Sequence, residues 1–280
     1  SNEKFNAMYL TSPDYYGVLQ DVKSISNKCQ KFDVPVLVDN AHGSHLMFTS
    51  ENLHPLSQGA LITADSAHKT LPILTGGAWL HINSKKISRQ EAKSAMALFG
   101  STSPLYSTMA SMDIAQDWLY YNGKKEFLNL EKRVSNIKSI AKGKGIFVFE
   151  GRLVDPTRIT LGVWGIGKTG YEFRDYLYKY KIEPEFCDQN YVVLIPTAFN
   201  TKQDWERLKK AILNINSCSK DSDLDGKNKF EKLPEICVSL REAIMSEKIK
   251  VSISNAKNRI AGDIVCPCPP GIPIVMPGEK

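Results

Sequence analysis

At 280 residues, 42% hydrophobic and 24% charged, the chain has the make-up of an ordinary globular protein, with room for two domains or one domain and a satellite. Its net charge of +6 is scattered in small clusters such as Lys124-Lys125 and Lys209-Lys210. That pattern reads as solvated helix faces, not as the concentrated basic and aromatic face of a nucleic-acid binder. No apolar run approaches the roughly 18 residues of a membrane span, and Ser1 to Leu10 has no charged-then-apolar leader pattern, so the expected setting is cytoplasmic, with neither nucleic acid nor membrane as an expected partner.

A turn-rich Thr11-Ser12-Pro13-Asp14 opens residues 10–30, which continue as a predicted helix. Val34 to Val38 is an almost wholly apolar run, the signature of a strand buried on both faces in a parallel sheet. It ends at Asp39 and the polar stretch Asn40 to His45. Strands are predicted again at 60–64 and 78–82, separated by Asp65-Ser66-Ala67-His68-Lys69, a Thr-Leu-Pro-Ile-Leu connection and Gly76-Gly77. Helices are predicted at 88–99, 105–121 and 124–142. A smaller α+β unit follows, with strands at 146–149, 157–164 and 190–196 and helices at 170–180 and 202–215. Residues 216–232 are polar and aperiodic and read as a linker. A helix at 235–247 and a Pro-rich end, Cys266 to Pro277, close the chain. The six cysteines, Cys29, Cys187, Cys218, Cys237, Cys266 and Cys268, are irregularly spaced and predict reduced thiols without a disulfide framework. Cys266-Pro267-Cys268 is too tight for the usual zinc knuckle.

Ligands of open α/β sheets gather at the carboxyl ends of the strands. Asp39, Ser66, His68 and Lys69 all fall at such ends. Pyridoxal-5′-phosphate (PLP) chemistry needs a lysine amine for a Schiff base and a carboxylate to keep the pyridine nitrogen protonated as an electron sink. It also needs small polar groups for the phosphate. Lys69, Asp39, and Ser66 with His68 offer these parts in order, and Gly76-Gly77 lets the backbone bend after the lysine.

The segments VDNAHGSHL (38–46) and DSAHKTLPILTGGAWLH (65–81) resemble the cofactor-binding motifs of the Orn/Lys/Arg decarboxylase family. Asp39, Ala41, His42, Ser66, His68 and Lys69 match its Asp-x-Ala-His-Gly and Ser-x-His-Lys-Thr patterns position by position. YLTSPDYYG (9–17), FGSTSPLY (99–106) and the tail CPCPPGIPIVMPGE (266–279) resemble further family segments. The resemblance implies an α/β, PLP fold-type-I large domain with a mainly parallel sheet over 1–125, a small α+β domain over 126–217 and a C-terminal decarboxylase-type segment over 218–280. It implies Lys69, Asp39 and His42 as catalytic residues. Cofactor contacts are implied from Lys69, Asp39, Ala41, His42, Ser66 and His68, and from Thr102 and Ser103 across the interface of a homodimer or larger even assembly. Family members run longer on the N-terminal side, where their phosphate-binding turn and ring-stacking residue lie; neither is recognisable before Thr11. The implied reaction is decarboxylation of arginine, lysine or ornithine. Lys69 is a candidate to return a proton to Cα, and Glu183 and Glu185 are candidates to meet a cationic substrate group.

Other readings are open on the residues alone. Gly162 to Thr169 satisfies the G-x-x-x-x-G-K-[ST] pattern of a phosphate loop, although Trp164 and Ile166 are bulky for one and YVVLI (191–195) ends without an Asp for magnesium. Asp39, His42, His45 and His68 could ligate a metal, a picture that leaves Lys69 without a role; the expected metal is none. A truncated, non-catalytic homologue acting as a binding subunit, or another fold-type-I reaction such as transamination, are the alternative functions.

Overall fold

The apolar run at 34–38 supplies the second strand of a four-stranded sheet, which consists in spatial order of β1 (Met8–Thr11), β2 (Val36–Asp39), β3 (Ile62–Asp65) and β4 (Trp79–Ile82). The first three strands are parallel and β4 runs antiparallel to β3. Successive side chains alternate between the two faces. Val36, Val38 and Asp65 point to the face covered by α1 (Val22–Gln30), where Val22, Ala60, Ile25 and Cys29 complete a small apolar cluster. The helix starts where the Asp21 carboxylate accepts the Ser24 amide at 3.1 Å. The opposite face carries Tyr9, Asp39 and Ala64, and there Tyr9, Ala64 and Leu80 are exposed. β1 escaped the sequence reading because it is an edge strand with little burial, so no hydrophobic pattern marks it.

The computed structural model describes residues 5–84, 87–216, 233–266, 271 and 273–280, and the chain divides into two units, 1–225 and 226–280. In the first, α2 (Arg89–Ala97) begins with a Ser88–Glu91 capping box and buries no residue. α3 (Tyr106–Trp118) runs through a π-turn, Leu119–Gly123, directly into α4 (Lys124–Gly143). The predicted break near 122 is thus a bulge inside one helical rod. Gly123 sits there against the Phe48 ring, which a Cβ would meet at 2.8 Å. On α4, Phe127, Leu130, Val134, Ile137 and Ala141 recur every three or four residues and are all buried, the stripe of a core-facing helix.

That stripe packs on a second sheet built from β5 (Phe147–Val148), β6 (Ile159–Gly162), β7 (Phe186–Cys187) and β8 (Tyr191–Leu194), with spatial order β5-β6-β8-β7 and every pairing antiparallel. α5 (Gly170–Lys179) and α6 (Lys202–Leu213) contribute Phe173, Leu177, Leu208, Ala211 and Ile212 to the same core. β6 is buried throughout.

Among its described residues, the 226–280 unit holds one α-helix, α7 (Leu240–Met245), capped by the Ser239 hydroxyl accepting the Glu242 amide. It is shorter than the predicted 235–247. An isolated bridge, Ile236–Glu279, joins the unit's early and late residues, and a second pairs Val265 with Val275. The predicted linker 216–232 with Cys218, and Cys268 in the Pro-rich end, lie outside the described residues apart from Asn216. Cys29, Cys187 and Cys237 are free thiols. Among the described residues, no helix is long and apolar enough to cross a membrane.

Candidate active site

The carboxyl ends of β2 and β3 lie side by side because the two strands are parallel neighbours with Asp39 opposite Ala64. Asp39 ends β2, and its Oδ1 accepts the Ala41 amide at 3.0 Å, which fixes the turn into Asn40–His45. Tyr9 of the neighbouring strand is tied to it: burial raises the Tyr9 pKa, and the Asp39 charge and hydrogen bond raise it further. After β3 the chain makes a single 3-10 turn, Ala67–Lys69, in which the Ser66 carbonyl accepts the Lys69 amide at 3.0 Å. This turn throws the Lys69 side chain back over the β2 end, where Nζ lies 3.2 Å from His42 Nε2.

His42 is 8% exposed, with the Tyr15 ring edge-on at 4.8 Å and the Arg158 guanidinium donating to its carbonyl at 3.5 Å. Burial pushes its pKa down to about 3, and the Arg158 and Lys69 charges push the same way. The ring is therefore neutral near pH 7, and Nε2 accepts from the Lys69 ammonium. Behind it, Asp155 and Arg158 are 0% and 1% exposed. Asp155 meets His45 at 3.1 Å and Arg158 at 3.7 Å, and accepts the Thr157 amide and hydroxyl at 2.8 Å each. Burial alone would raise the Asp155 pKa; His45, Arg158 and the Thr157 amide together hold it well below the usual carboxylate range.

A pH dependence follows with a definite sign. Because the fold depresses the His42 pKa from 6.5 to about 3, the unfolded chain takes up a proton at higher pH than the folded one. Stability present above pH about 6.5 is lost progressively as pH falls toward about 3. Urea unfolding from pH 7 to 4 should show this loss, and His42→Gln should flatten it. Stability that rises on acidification would contradict the assignment.

The structure thus brings Asp39, Ala41, His42, Ser66 and Lys69 to one place. His68 is turned toward the next bend, its Nδ1–H donating to the Gly77 carbonyl at 2.9 Å. Thr102 and Ser103 sit in an exposed loop between α2 and α3, flanked by Leu98 and Phe99 at 77% and 94% exposure. No hydrogen bond joins that loop to Asp39, His42 or Lys69 among the described residues. Glu183 is turned to the Tyr178 hydroxyl at 3.1 Å, whereas Glu185 accepts from the Tyr15 hydroxyl at 2.7 Å, one ring away from His42. Sequence reasoning did not single out Tyr9, Tyr15, Asp155 or Arg158. The Tyr15–Tyr16 pair after the turn was the available signal, since two adjacent tyrosines in a loop need partners.

The phosphate-loop pattern at 162–169 does not form a cradle. Trp164 folds across Gly162, filling the space a Cβ would take there, and packs against Phe147 and Tyr191. Thr169 caps α5 in a box with Glu172, so its hydroxyl already accepts the Glu172 amide at 3.0 Å. Nor do Asp39, His42, His45 and His68 gather as a metal set. His45 is committed to Asp155 and His68 to Gly77.

This arrangement, a lysine just past one parallel strand, a carboxylate ending the neighbouring strand and a small antiparallel sheet following, is a PLP fold-type-I architecture. Its backbone matches the constitutive lysine decarboxylase of E. coli with TM-score 0.70 over 98% of this chain and 52% of that one, at 17% identity. Lysine decarboxylase A of Pseudomonas aeruginosa gives TM-score 0.73 over 97% and 50%, at 19% identity. The family model "Orn/Lys/Arg decarboxylase, major domain" matches residues 1–158, and "Orn/Lys/Arg decarboxylase, C-terminal domain" matches residues 226–280. The chain belongs to the Orn/Lys/Arg decarboxylase family. It is 31% identical to arginine decarboxylase of Bacillus subtilis over 97% of its length and 58% of that protein, with the same figures for arginine decarboxylase of Bacillus anthracis. The chain therefore spans somewhat over half the length of these curated relatives.

Proposed function

We propose that this chain carries the lysine-bearing part of a PLP-dependent decarboxylase acting on arginine, lysine or ornithine. The observation that carries the reading is Lys69 Nζ resting 3.2 Å from the neutral His42 ring, beside the Asp39 strand end. The residues present fit the cofactor. They supply a primary amine, a carboxylate at a neighbouring strand end, and an open shelf where exposed Ala64 lies opposite Asp39. When bound, PLP supplies the electron sink for the negative charge left on Cα by loss of CO2.

Lys69 would hold the cofactor aldehyde carbon and Asp39 would face the ring nitrogen, with Ala41 fixing the Asp39 carboxylate. Ser66 and His68 are assigned to the phosphate. Thr102 and Ser103 are assigned to the same phosphate in the second subunit of a homodimer, a reading supported by the exposed Leu98, Phe99, Leu105 and Tyr106 around them. His42 accepts from the Lys69 amine and holds it over the strand ends. Lys69 returns the proton to Cα. Glu185, held by Tyr15, is the candidate for the distal cation of the substrate. The three-part domain organisation, 1–125, 126–217 and 218–280, belongs to the same proposal.

The arginine decarboxylases among its relatives make arginine the first substrate to test. The chain with PLP, offered arginine, lysine and ornithine in turn, should release trapped CO2 from at least one, and Lys69→Ala should release none. Transfer of the amino group to a keto acid without CO2 would sink the decarboxylase reading while leaving the cofactor reading intact.

A further inference from the structure

Ala64 and Asp65 are consecutive on β3 and so point to opposite faces. Asp39 and Ala64 share one face, and Asp65 looks out of the other, where it meets two histidines. His54 Nε2 lies 2.8 Å and His81 Nε2 3.8 Å from Asp65 Oδ2. The three ligand atoms all lie within 4.8 Å of one another. Asp65 and His54 are each 2% exposed, and Asp65 Oδ1 is buried with no hydrogen-bond partner. The histidines face a cleft of about 410 Å³ whose polar lining is Asn52, Ser57 and Asn83. The decarboxylation chemistry proposed above uses none of these residues.

We propose that His54, Asp65 and His81 form a binding site for one divalent transition-metal ion of the zinc class. Two imidazole nitrogens and a carboxylate oxygen suit zinc and its neighbours, where magnesium or calcium would call for oxygen alone. Ligand bonds of about 2.0–2.2 Å place tetrahedral donors about 3.3–3.6 Å apart, and the observed 2.8 and 3.8 Å straddle that spacing. His81 stands on the cleft side with 32% of its side chain exposed, free to swing inward and complete the set. The fourth position opens to the cleft and takes water.

The metal-free pocket already has its proton placed. His54 Nδ1 accepts the Leu56 amide at 3.3 Å, so the ring proton sits on Nε2 and is donated to Asp65. The cation takes the place of that shared proton, and the ring keeps one proton by carrying it on Nδ1 at the expense of the long Leu56 bond. Asn40 also donates to Asp65, at 3.0 Å, and directly follows Asp39. Asp65 directly precedes Ser66. An ion here therefore ties together, from behind, the two strand ends that carry Asp39 and Lys69.

The test is titration of the chelator-stripped full chain with Zn2+ and, separately, Co2+. One ion should bind per chain, Zn2+ should raise the unfolding temperature, and the Co2+ complex should show visible tetrahedral bands without a thiolate charge-transfer band. His81→Ala leaves the His54–Asp65–Asn40 bonds in place and should weaken binding by at least about tenfold. Asp65→Asn should do the same, and Asn83→Ala should not. Absence of stoichiometric binding, unchanged affinity in the folded His81→Ala and Asp65→Asn chains, or a thiolate band pointing to the cysteines would each overturn the proposal.

Discussion

Asp39→Asn should slow decarboxylation by about a hundred- to a thousandfold, the usual loss when one preorganised electrostatic partner of the developing charge is removed, while leaving capture of PLP by Lys69 intact. The amide keeps an oxygen where Oδ1 now accepts the Ala41 amide at 3.0 Å, so the turn survives. What is lost is the negative charge at the β2 end. Steady-state rates and cofactor content measured on the same preparation separate the two effects. A variant that binds no PLP would show that Asp39 acts through the turn, and one with an undiminished rate would remove it from the site.

Asp155→Ala should destabilise the fold by about 3–5 kcal/mol, because removing one partner from a buried charged set strands the others. Arg158, 1% exposed, would lose the carboxylate at 3.7 Å, and His45 would lose its acceptor at 3.1 Å. The effect should reach the site, since Arg158 donates to the His42 carbonyl. Denaturant unfolding of the variant measures the cost. A loss below about 1 kcal/mol, the scale of an exposed ion pair, would show that the cluster relaxes and holds little.

Much of this could be read from the residues. Val34 to Val38 announced a buried strand because a strand covered on both sides has no polar alternation to disguise it. Asp39 and Lys69 stood out because polar residues just after such runs lie near strand ends, and the resemblance to the family motifs is what implied a joint role for them. β1 was not legible, since an exposed edge strand leaves no apolar period. The helix break near residue 122 was misplaced because a π-turn keeps the chain helical through Gly123. The Asp155–Arg158–His45 set was invisible for another reason. His45 precedes Asp155 by 110 residues along the chain, and the two meet only when the second sheet folds against the turn after β2. Likewise Asp65 read as part of the lysine motif, and only the strand's alternation revealed that it faces away, toward His54 and His81.

We propose Lys69 as the residue through which this chain holds PLP. Incubation with PLP, reduction with borohydride and peptide mapping by mass spectrometry tests it most directly. A pyridoxyl adduct on Lys69, with loss of the visible absorbance band in Lys69→Ala, is the expected result. An adduct spread over surface lysines, or one that persists unchanged in Lys69→Ala, would contradict the assignment of Lys69.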